Sequence, residues 1–515
     1  MKKVGLIVLL ILVIGAIAGY IWWQQNKKRI IKNAIENSIK KKTDSLYTVR
    51  YDSSKIDELN GNASFFNVSL QSDAAQQELL ASTDSLPNSL FLIKVKQVSV
   101  LGVDVPGLMQ NKNITAQKIF LYKPVVQIIN TGAGNNKPYS AADTLELFER
   151  ILGKFSSIKV DGIQIDSGQV IITDRNGKSL TTLENINITL NNFLVDSLHN
   201  YENVISYFIK DVKASVENMQ FPEAKNKTRI NITKLKYDAL AKTLTVKQVQ
   251  QYKPGNAKPV IELNDIGITK LNTDVFILGQ QLKAGMVTCE GGLITIYKKE
   301  KGKQTGSKAI VFTTDFDAVQ VDGMKLGKTK VVIIDETDPS ADPFVLNDVQ
   351  FNMTRGLKVF EGNTLSDIIN YADWKLTSSG FTMTTKSKYT IAAKALEIDN
   401  VRSGISVGQV AIRSNQPEDE FFRQSVKQLD RYDITFNNIK LNAVNFKRLI
   451  GDNAIEADNA SLNLVLKILR DRTKPEDTVS KVGNAPYQLL MKMKVPVHIG
   501  RVQVSNSLIE YTERA

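Results

Sequence analysis

Apolar residues alternate with polar ones through most of the chain, and the alternation returns at fixed spacings. No other feature restricts the fold as much. Ile163-Gln164-Ile165, Ile186-Asn187-Ile188-Thr189-Leu190, Val319-Gln320-Val321 and Val349-Gln350-Phe351-Asn352-Met353 have the period of two expected of strands with one buried face. The Gly, Asn and Asp residues between such runs suit hairpin turns. Val160, Asp161-Gly162, Ile163 and Ile165, then Val170 and Ile172 to Asp174, return as Val321, Asp322-Gly323, Met324 and Leu326, then Val331 and Ile333 to Asp335 (321 − 160 = 161). Leu183 to Leu190 returns as Leu346 to Met353 (346 − 183 = 163). A third copy, Val502 through Glu513, matches Ile163 through Asp174 (502 − 163 = 339).

A second block behaves the same way. Ile93, Val95, Val98, Val100, Val103, Val105 and Leu108, then Ile114, Ala116, Ile119, Leu121 and Val125, match Ile434 through Leu449 and Ile455 through Leu466 (434 − 93 = 341). A middle copy runs from Ile266 to Ile296 and sets Ala284 against Ala457 (457 − 284 = 173). One offset held across long blocks, with Asp-Gly in step, indicates duplication of a composite unit. The fold class expected is mostly β with a few short helices: an N-terminal transmembrane helix, then repeated antiparallel sheet blocks curled into a groove. The divisions expected are 1–30 for a membrane anchor, 31–90 for a juxtamembrane helix and first strands, 91–260 and 261–430 for two repeat units, and 431–515 for a partial third. The third copy has barely begun its second block at Ala515, and the chain is expected to be a fragment of a longer protein. Amphipathic helices are expected over 141–157, with Leu145, Phe148, Ile151, Leu152 and Phe155 on one face, and near Val204–Tyr207 and Ile368–Tyr371.

Val4 to Trp23 is an uncharged apolar run long enough to cross a bilayer as a helix. Val4, Leu6, Leu9 and Leu12 would lie among the acyl chains, and Tyr20, Trp22 and Trp23 at the interface. Ala16-Ile17-Ala18 leaves a cleaved signal peptide as the alternative, although the run continues past it to Lys27-Lys28-Arg29. The formal net charge of the 515-residue chain is +13. Much of it flanks this segment, at Lys2, Lys3, Lys27, Lys28, Arg29, Lys32 and Lys40 to Lys42, as lipid head groups and topology require. The other Lys and Arg are interspersed with Asp and Glu, and aromatic residues, at 7%, do not interleave with them as nucleic-acid stacking platforms would.

Little in the sequence points to catalysis. The single cysteine, Cys289, permits no intramolecular disulfide and is expected to be a small buried thiol. His199 is expected in a loop and His498 in a strand. No serine lies in a G-x-S-x-G elbow, no His/Cys spacing suits zinc, and no phosphate-binding glycine loop is present. The acidic run Asp335, Glu336, Asp338 and Asp342 is interrupted by prolines, which makes it a turn rather than a calcium loop. No metal or cofactor is expected, and the chain is read as a non-enzyme.

An N-terminal anchor followed by Ile114-Thr-Ala-Gln-Lys-Ile119-Phe-Leu-Tyr-Lys-Pro124-Val-Val-Gln-Ile128, a helix, and then Ile158-Lys-Val-Asp-Gly-Ile163-Gln-Ile-Asp-Ser-Gly168-Gln-Val-Ile-Ile-Thr-Asp174 resembles the AsmA-like family of bacterial envelope proteins. The resemblance is strongest over residues 1–195. It implies a β-groove anchored in the inner membrane, projecting into the periplasm and moving phospholipid towards the outer membrane. Its partners would be membrane phospholipids and other envelope proteins, with no nucleic acid. Ile163, Ile165, Val170, Ile172, Ile186, Ile188, Leu190, Val319, Val321, Val331, Ile333, Val349 and Phe351 would line the groove. An acyl chain of about sixteen carbons costs roughly 12 kcal/mol to expose to water, at ~0.8 kcal/mol per CH₂, so a continuous apolar trough would suffice without chemistry. The alternatives are a non-enzymatic envelope scaffold whose same side chains close into a dry core, and a hydrolase using the carboxylates near Asp335.

Overall fold

The computed structural model describes residues 45–57, 60–83, 85–104, 113–131, 157–196, 211–222, 228–272, 281–298, 318–338, 342–360, 372–384, 389–423, 425–476 and 495–515. The apolar run Val4 to Trp23, His199, the helices expected near Val204 and Ile368, and all but Ser157 of the one expected over 141–157 lie outside these residues. Twenty-two strands and three short helices make up the described chain. They divide into two units, residues through Pro259 with Thr269–Gly279, and Val260–Ile268 with Gln280–Ala515.

The first unit is one mixed sheet. β1 (Tyr47–Arg50) and β2 (Ser53–Asp57) both pair with β3 (Asn62–Ser72). β4 (Ser89–Leu101), β5 (Asn113–Asn130), β6 (Ser157–Asp174), β7 (Ser179–Asp196), β8 (Val212–Phe221), β9 (Arg229–Asp238) and β10 (Thr243–Tyr252) follow side by side. All these pairings are antiparallel except β5 with β6. The second unit runs through β11 (Ile261–Ile268), β12 (Gln281–Lys298) and β13 (Ala318–Asp335), then β14 (Phe344–Met353) with β15 (Leu357–Phe360), both on β13. It continues through β16 (Trp374–Thr384), β17 (Tyr389–Asp399), β18 (Gly404–Ser414), β19 (Asp430–Asn442) and β20 (Ile455–Asp471) to β21 (Val497–Val504) and β22 (Leu508–Arg514). Here β12–β13 and β20 with β21 and β22 are parallel.

The expectation of purely antiparallel blocks is therefore corrected. Each sequence repeat contains one parallel pair, which a tight hairpin cannot make and a crossover must. The copies agree to the residue: Ala116 lies opposite Val160, Ala284 opposite Val321, and Ala457 opposite Ile499. These alanines are only 1%, 7% and 3% exposed. The expected short hairpin strands are corrected too. Ile163-Gln-Ile165 and Val170-Ile-Ile172 belong to one strand, β6, and the Asp-Gly pairs at 161–162 and 322–323 sit within β6 and β13.

The interruption in alternation that resembled a turn is instead a crease. In β5 the apolar phase moves from Ile119 and Leu121 to Val126 and Ile128, in β6 from Ile163 and Ile165 to Val170 and Ile172, and in β9 from Ile230 and Ile232 to Leu235 and Tyr237. At the antiparallel pairs β3–β4, β4–β5 and β8–β9 one residue per strand leaves the ladder at this level: no pairing joins Asn67 to Lys96, Lys96 to Lys123, or Glu217 to Lys234, although the pairs on either side are in register; at the parallel pairs β5–β6 and β12–β13 two residues per strand do. Several of these residues have left-handed backbones, including Asn67 (φ 50°), Lys123 (φ 50°), Asn185 (φ 53°) and Lys234 (φ 50°). The second unit repeats the device at Asp265 (φ 49°), Asp348 (φ 50°), Ala395 (φ 55°) and Asn438 (φ 53°). β20 alone keeps its phase, and the β19–β20 register shifts between Asn437 and Lys440. A break of this kind bends a strand and frees one residue from pairing, as at a β-bulge. It also explains Pro124 inside a central strand, a position otherwise closed to proline.

Because neighbouring strands break together, apolar side chains above and below the crease share one face. Phe65, Val98 and Leu121 below it and Leu70, Ile93 and Val126 above it belong to a single buried cluster with Ile158, Val160, Phe193 and Val195. The helices are accessory. α1 (Ala74–Ser82) is capped by Asp73, whose carboxylate accepts the Gln76 N–H at 3.0 Å. α2 (Glu418–Arg423) buries Phe421 and Phe422. α3 (Phe446–Gly451) sets Phe446 edge-on to Trp374, ring centroids 5.4 Å apart.

At the crease of β12 and β13 the backbones touch. A Cβ on Gly291 (φ +130°) would lie 2.1 Å from the Lys328 carbonyl oxygen, and one on Gly327 2.1 Å from that of Glu290. Gly291→Ala is expected to destabilise by about 1–3 kcal/mol from the backbone alone, and Ala395→Gly to stabilise by about 1 kcal/mol by relieving a left-handed alanine. Urea denaturation midpoints of the two variants should move in opposite directions.

Candidate functional site

Cross-strand pairing converts the alternation into apolar rows that run across whole units. In the first unit one row passes through Val49, Leu70, Ile93, Val126, Val170, Leu183, Met219, Ile232 and Val249. On the other side of the crease a second passes through Phe65, Val98, Leu121, Ile165, Ile188, Ala214, Tyr237 and Leu244. The second unit has the same pair. Ile261, Ile294, Val331, Leu346, Phe381, Ala393, Val410, Phe436 and Leu464 form one row. Ile266, Cys289, Leu326, Phe351, Leu376, Ile398, Ile405, Leu441, Ala460 and Val502 form the other. Each step places apolar side chains directly opposite one another, the unit of sheet stabilisation.

Burial along these rows changes with position. Val49, Leu70, Ile93 and Val126 are buried, 2–6% exposed, whereas Val170, Leu183, Met219, Ile232 and Val249 are half-buried. Along this row the apolar face is sealed over β1 to β5 and less covered from β6 onward, while Ile158 and Val160 of β6 and Phe193 and Val195 of β7, away from the row, stay buried. In the second unit only Ala393 of the first row is buried, while its large side chains from Ile261 to Leu464 stay half-buried. Part of the second row packs into a cluster around Met353, Trp374 and Phe446, with Phe351 stacked on Trp374 at 6.2 Å.

The residues expected from sequence to line a groove fall on these rows or beside them, with unequal exposure. Ile163, Val321 and Val349 are buried at 7%, 3% and 6%, so they are core residues and not open lining. Ile165, Val170, Ile172 and Leu190 pack against the first unit's buried cluster. Ile186, Ile188, Val319, Val331, Ile333 and Phe351 are half-buried. The anchor residues Val4, Leu6, Leu9, Leu12, Trp22 and Trp23 lie outside the described residues, among which no helix is long and apolar enough to cross a membrane. Members of the rows on β8, β9, β16, β17 and β18 escaped the sequence reading because they fall between the duplicated blocks. Their signal is the spacing apolar-x-apolar-x-x-apolar-x-apolar, as in Ile391, Ala393, Leu396 and Ile398.

The opposite face is polar. Lys213 meets Asp238 at 3.1 Å, Lys375 meets Glu397 at 2.8 Å, and Lys467 meets Glu510 at 3.0 Å, all across neighbouring strands. Such exposed pairs contribute ~0–1 kcal/mol each and keep that face wet. On the apolar side, the rows of β19 and β20 end at the Asp430–Arg470 ion pair (3.1 Å), whose members are only 20% and 19% exposed. Arg470 also donates to Gln428 at 2.9 Å. Burial first, then the Asp430 charge, pushes the neighbouring Tyr432 hydroxyl above its ordinary range.

The Asp335 carboxylate and the Cys289 thiol, both singled out in the sequence, are engaged in local contacts. Asp335 caps a turn, accepting the Thr337 hydroxyl at 2.5 Å and N–H at 3.0 Å, and pairs with Lys298 at 3.0 Å. Its counterpart Asp174 accepts the N–H groups of Asn176 and Lys178, both at 2.9 Å. His498 is exposed on β21. Cys289, expected to be buried, is half-buried, its thiol directed at the Asn264 carbonyl at 3.4 Å. The described residues contain no group of three or more His, Cys, Asp or Glu able to hold a metal ion.

No protein-family model matches this chain, and no curated protein matches it. The functional reading therefore rests on the faces of the sheet.

The Thr337 hydroxyl, then Lys298, hold the Asp335 carboxyl down to about 2. A depressed folded value means that this carboxylate stabilises the turn above the ordinary aspartate range and that the contribution is lost as pH falls through about 2. In Thr337→Ala, carbon-detected titration should show the Asp335 midpoint moved upward towards the usual aspartate value.

Proposed function

We propose that the protein binds phospholipid acyl chains along the apolar face of its sheet, as a membrane-anchored envelope protein that carries lipid between membranes. The observation that carries this reading is the row from Ile261 to Leu464: apolar in every strand from β11 to β20 that it crosses, and with only its smallest member, Ala393, buried. A closed core would bury the large members. A face made for water would not keep apolar residues in step across so many strands, because half-covered Ile, Leu and Phe forgo burial of about 25 cal/mol per Å². Acyl chains would complete that burial without any hydrogen bond. The resemblance of residues 1–195 to the AsmA-like family and the apolar run Val4 to Trp23 point the same way, to an inner-membrane anchor with the body in the periplasm.

The scaffold reading draws its support from β1 to β5, where the same face is already sealed by protein. Both readings hold if the sealed strands carry the open ones, and the half-buried rows favour the first.

The test is native mass spectrometry of the protein released from its membranes. Bound phospholipid is expected. It should be lost in an Ile186→Asp, Ile188→Asp variant and in a Val331→Asp, Ile333→Asp variant that keep the parent's circular dichroism and melting behaviour. A folded, lipid-free parent that takes up nothing from phospholipid vesicles would leave the scaffold as the function.

A further inference from the structure

The polar face of β5 carries a strip of aromatic rings and lysines. Phe120 and Tyr122 stack there with ring centroids 6.2 Å apart. Three ammoniums lie over the two rings: Lys118 at 5.9 Å from the Phe120 centroid, and Lys96 and Lys123 at 5.8 and 5.3 Å from that of Tyr122. Ile119 and Leu121 belong to the buried cluster, so alternation puts both rings on the opposite side of the sheet. Cross-strand register extends the patch. Lys94 is in line with Arg50 through Ser69, and Lys55 with Phe120 through Ser64 and Ser99. Arg50, Lys55, Lys94, Lys96 and Lys123 are exposed.

The repeat shows that the architecture does not require this strip. Lys118, Phe120, Tyr122 and Lys123 correspond to Met286, Thr288, Glu290 and Gly291 in β12 (284 − 116 = 168). In β20 they correspond to Asn459, Ser461, Asn463 and Leu464 (457 − 116 = 341). Lys94 and Lys96 correspond to Thr435 and Asn437 in β19 by the same offset. Both other copies build the parallel pair without the strip. The patch is also not neutralised. Among the described residues no ion pair involves Arg50, Lys55, Lys94, Lys96, Lys118 or Lys123, whereas Lys213, Lys375 and Lys467 meet carboxylates across strands. The carboxylates in step with the patch have local partners. Asp52 accepts the Asn67 amide at 2.9 Å, and Asp166 accepts the Ser167 hydroxyl at 2.8 Å.

We infer that the polar face of β1 to β5 docks on an anionic phospholipid bilayer, its lysines meeting phosphates while Phe120 and Tyr122 lie at head-group depth. From Arg50 on β1 to Lys123 on β5 are three strand spacings, about 14 Å. A single phosphate cannot bridge that width, whereas a layer of them can. Lysine stems laid along aromatic rings, with the ammoniums at the surface, suit the boundary between head groups and water. Nucleic acid fits less well, because Phe120 and Tyr122 stack on each other rather than standing apart to receive bases. Residues 24–44 alone separate the apolar run Val4 to Trp23 from the described chain, about 75 Å at full extension. A bilayer holding that run would lie within reach of β1 to β5. The inference rests on the anchor reading for that nearness, and not on acyl-chain binding by the other face.

The test uses the full chain in nanodiscs, one set of phosphatidylcholine alone and one with about one-third phosphatidylglycerol. A nitroxide on Gln71→Cys, in a Cys289→Ser background, reads contact with nickel-chelating lipid in the same disc. Gln71 is exposed on β3, on the side opposite the buried Leu70. The ratio of docked to free chain is expected to be about tenfold or more higher in the anionic discs and to collapse in about 0.5 M salt. Lys94→Gln, Lys96→Gln, Lys118→Gln and Lys123→Gln together should remove the contact with circular dichroism and melting unchanged. The corresponding four arginine substitutions should keep it. Equal contact in both discs, or anionic contact that survives the four glutamines, would overturn the inference. So would shielding of the nitroxide by a polyglutamate peptide without lipid contact, which would assign the face to an acidic protein. A chain that stays out of both discs refutes the anchor alone. The docking surface is then upheld by salt-sensitive co-sedimentation with anionic vesicles that the four glutamines abolish, and overturned by its absence.

Discussion

Everything described in these two units depends on keeping apolar side chains on one face while each strand bends. A strand alternates with period two, so any irregularity of one residue exchanges its faces. Here the chain uses that exchange. One or two residues per strand leave the ladder at a common level, and in every crossing strand but β20 the apolar phase is written one step late beyond it. Left-handed backbone at residues such as Lys123, Lys234 and Ala395 costs on the order of 1–2 kcal/mol each. Paired apolar rows on both sides of the crease offset that cost. Had one strand failed to break with its neighbours, its upper half would have turned Ile and Val into the polar face beside the Lys213–Asp238 and Lys375–Glu397 pairs.

The second organising element is the parallel pair that occurs once in each repeat. A parallel pair needs a crossover, and the crossover returns the chain to the same end of the sheet. Within the second unit, β12, β13, β20, β21 and β22 consequently all run in the same direction. The buried alanines at 116, 284 and 457 hold the same position in each parallel pair. The glycines at 291 and 327 mark where the backbones of β12 and β13 touch.

Much of this was legible in the sequence, though not all in its true form. The offsets identified the equivalent strands, and Ala284 with Ala457 fell on structurally matched positions. The phase shifts were also visible, but a two-residue gap in alternation containing Gly, Asn or Asp looks the same whether the chain reverses or creases. Local propensity cannot separate the two outcomes, because both require the same left-handed backbone. Parallel pairing was invisible for a related reason, since alternation records faces and not directions. Exposure was the third limit. Ile163 and Ile186 are alike in sequence context, yet one is buried and the other half-buried, and alternation records which face a residue takes but not how deeply that face is covered.

The crease also sets how such a gene can change length. Deleting a codon from the turn after Asp174 shortens a connection and leaves the pairing of β6 and β7 intact. Deleting the codon for Asn185 removes the residue that shifts the phase, so that either the part of β7 from Ser179 to Glu184 or the part from Ile186 to Asp196 must present its apolar side chains to water. Lesions of equal size thus differ sharply in consequence. Along these strands the reading frame of the sheet is as strict as that of the message, and viable insertions or deletions should cluster in the connections or arrive as even numbers of residues.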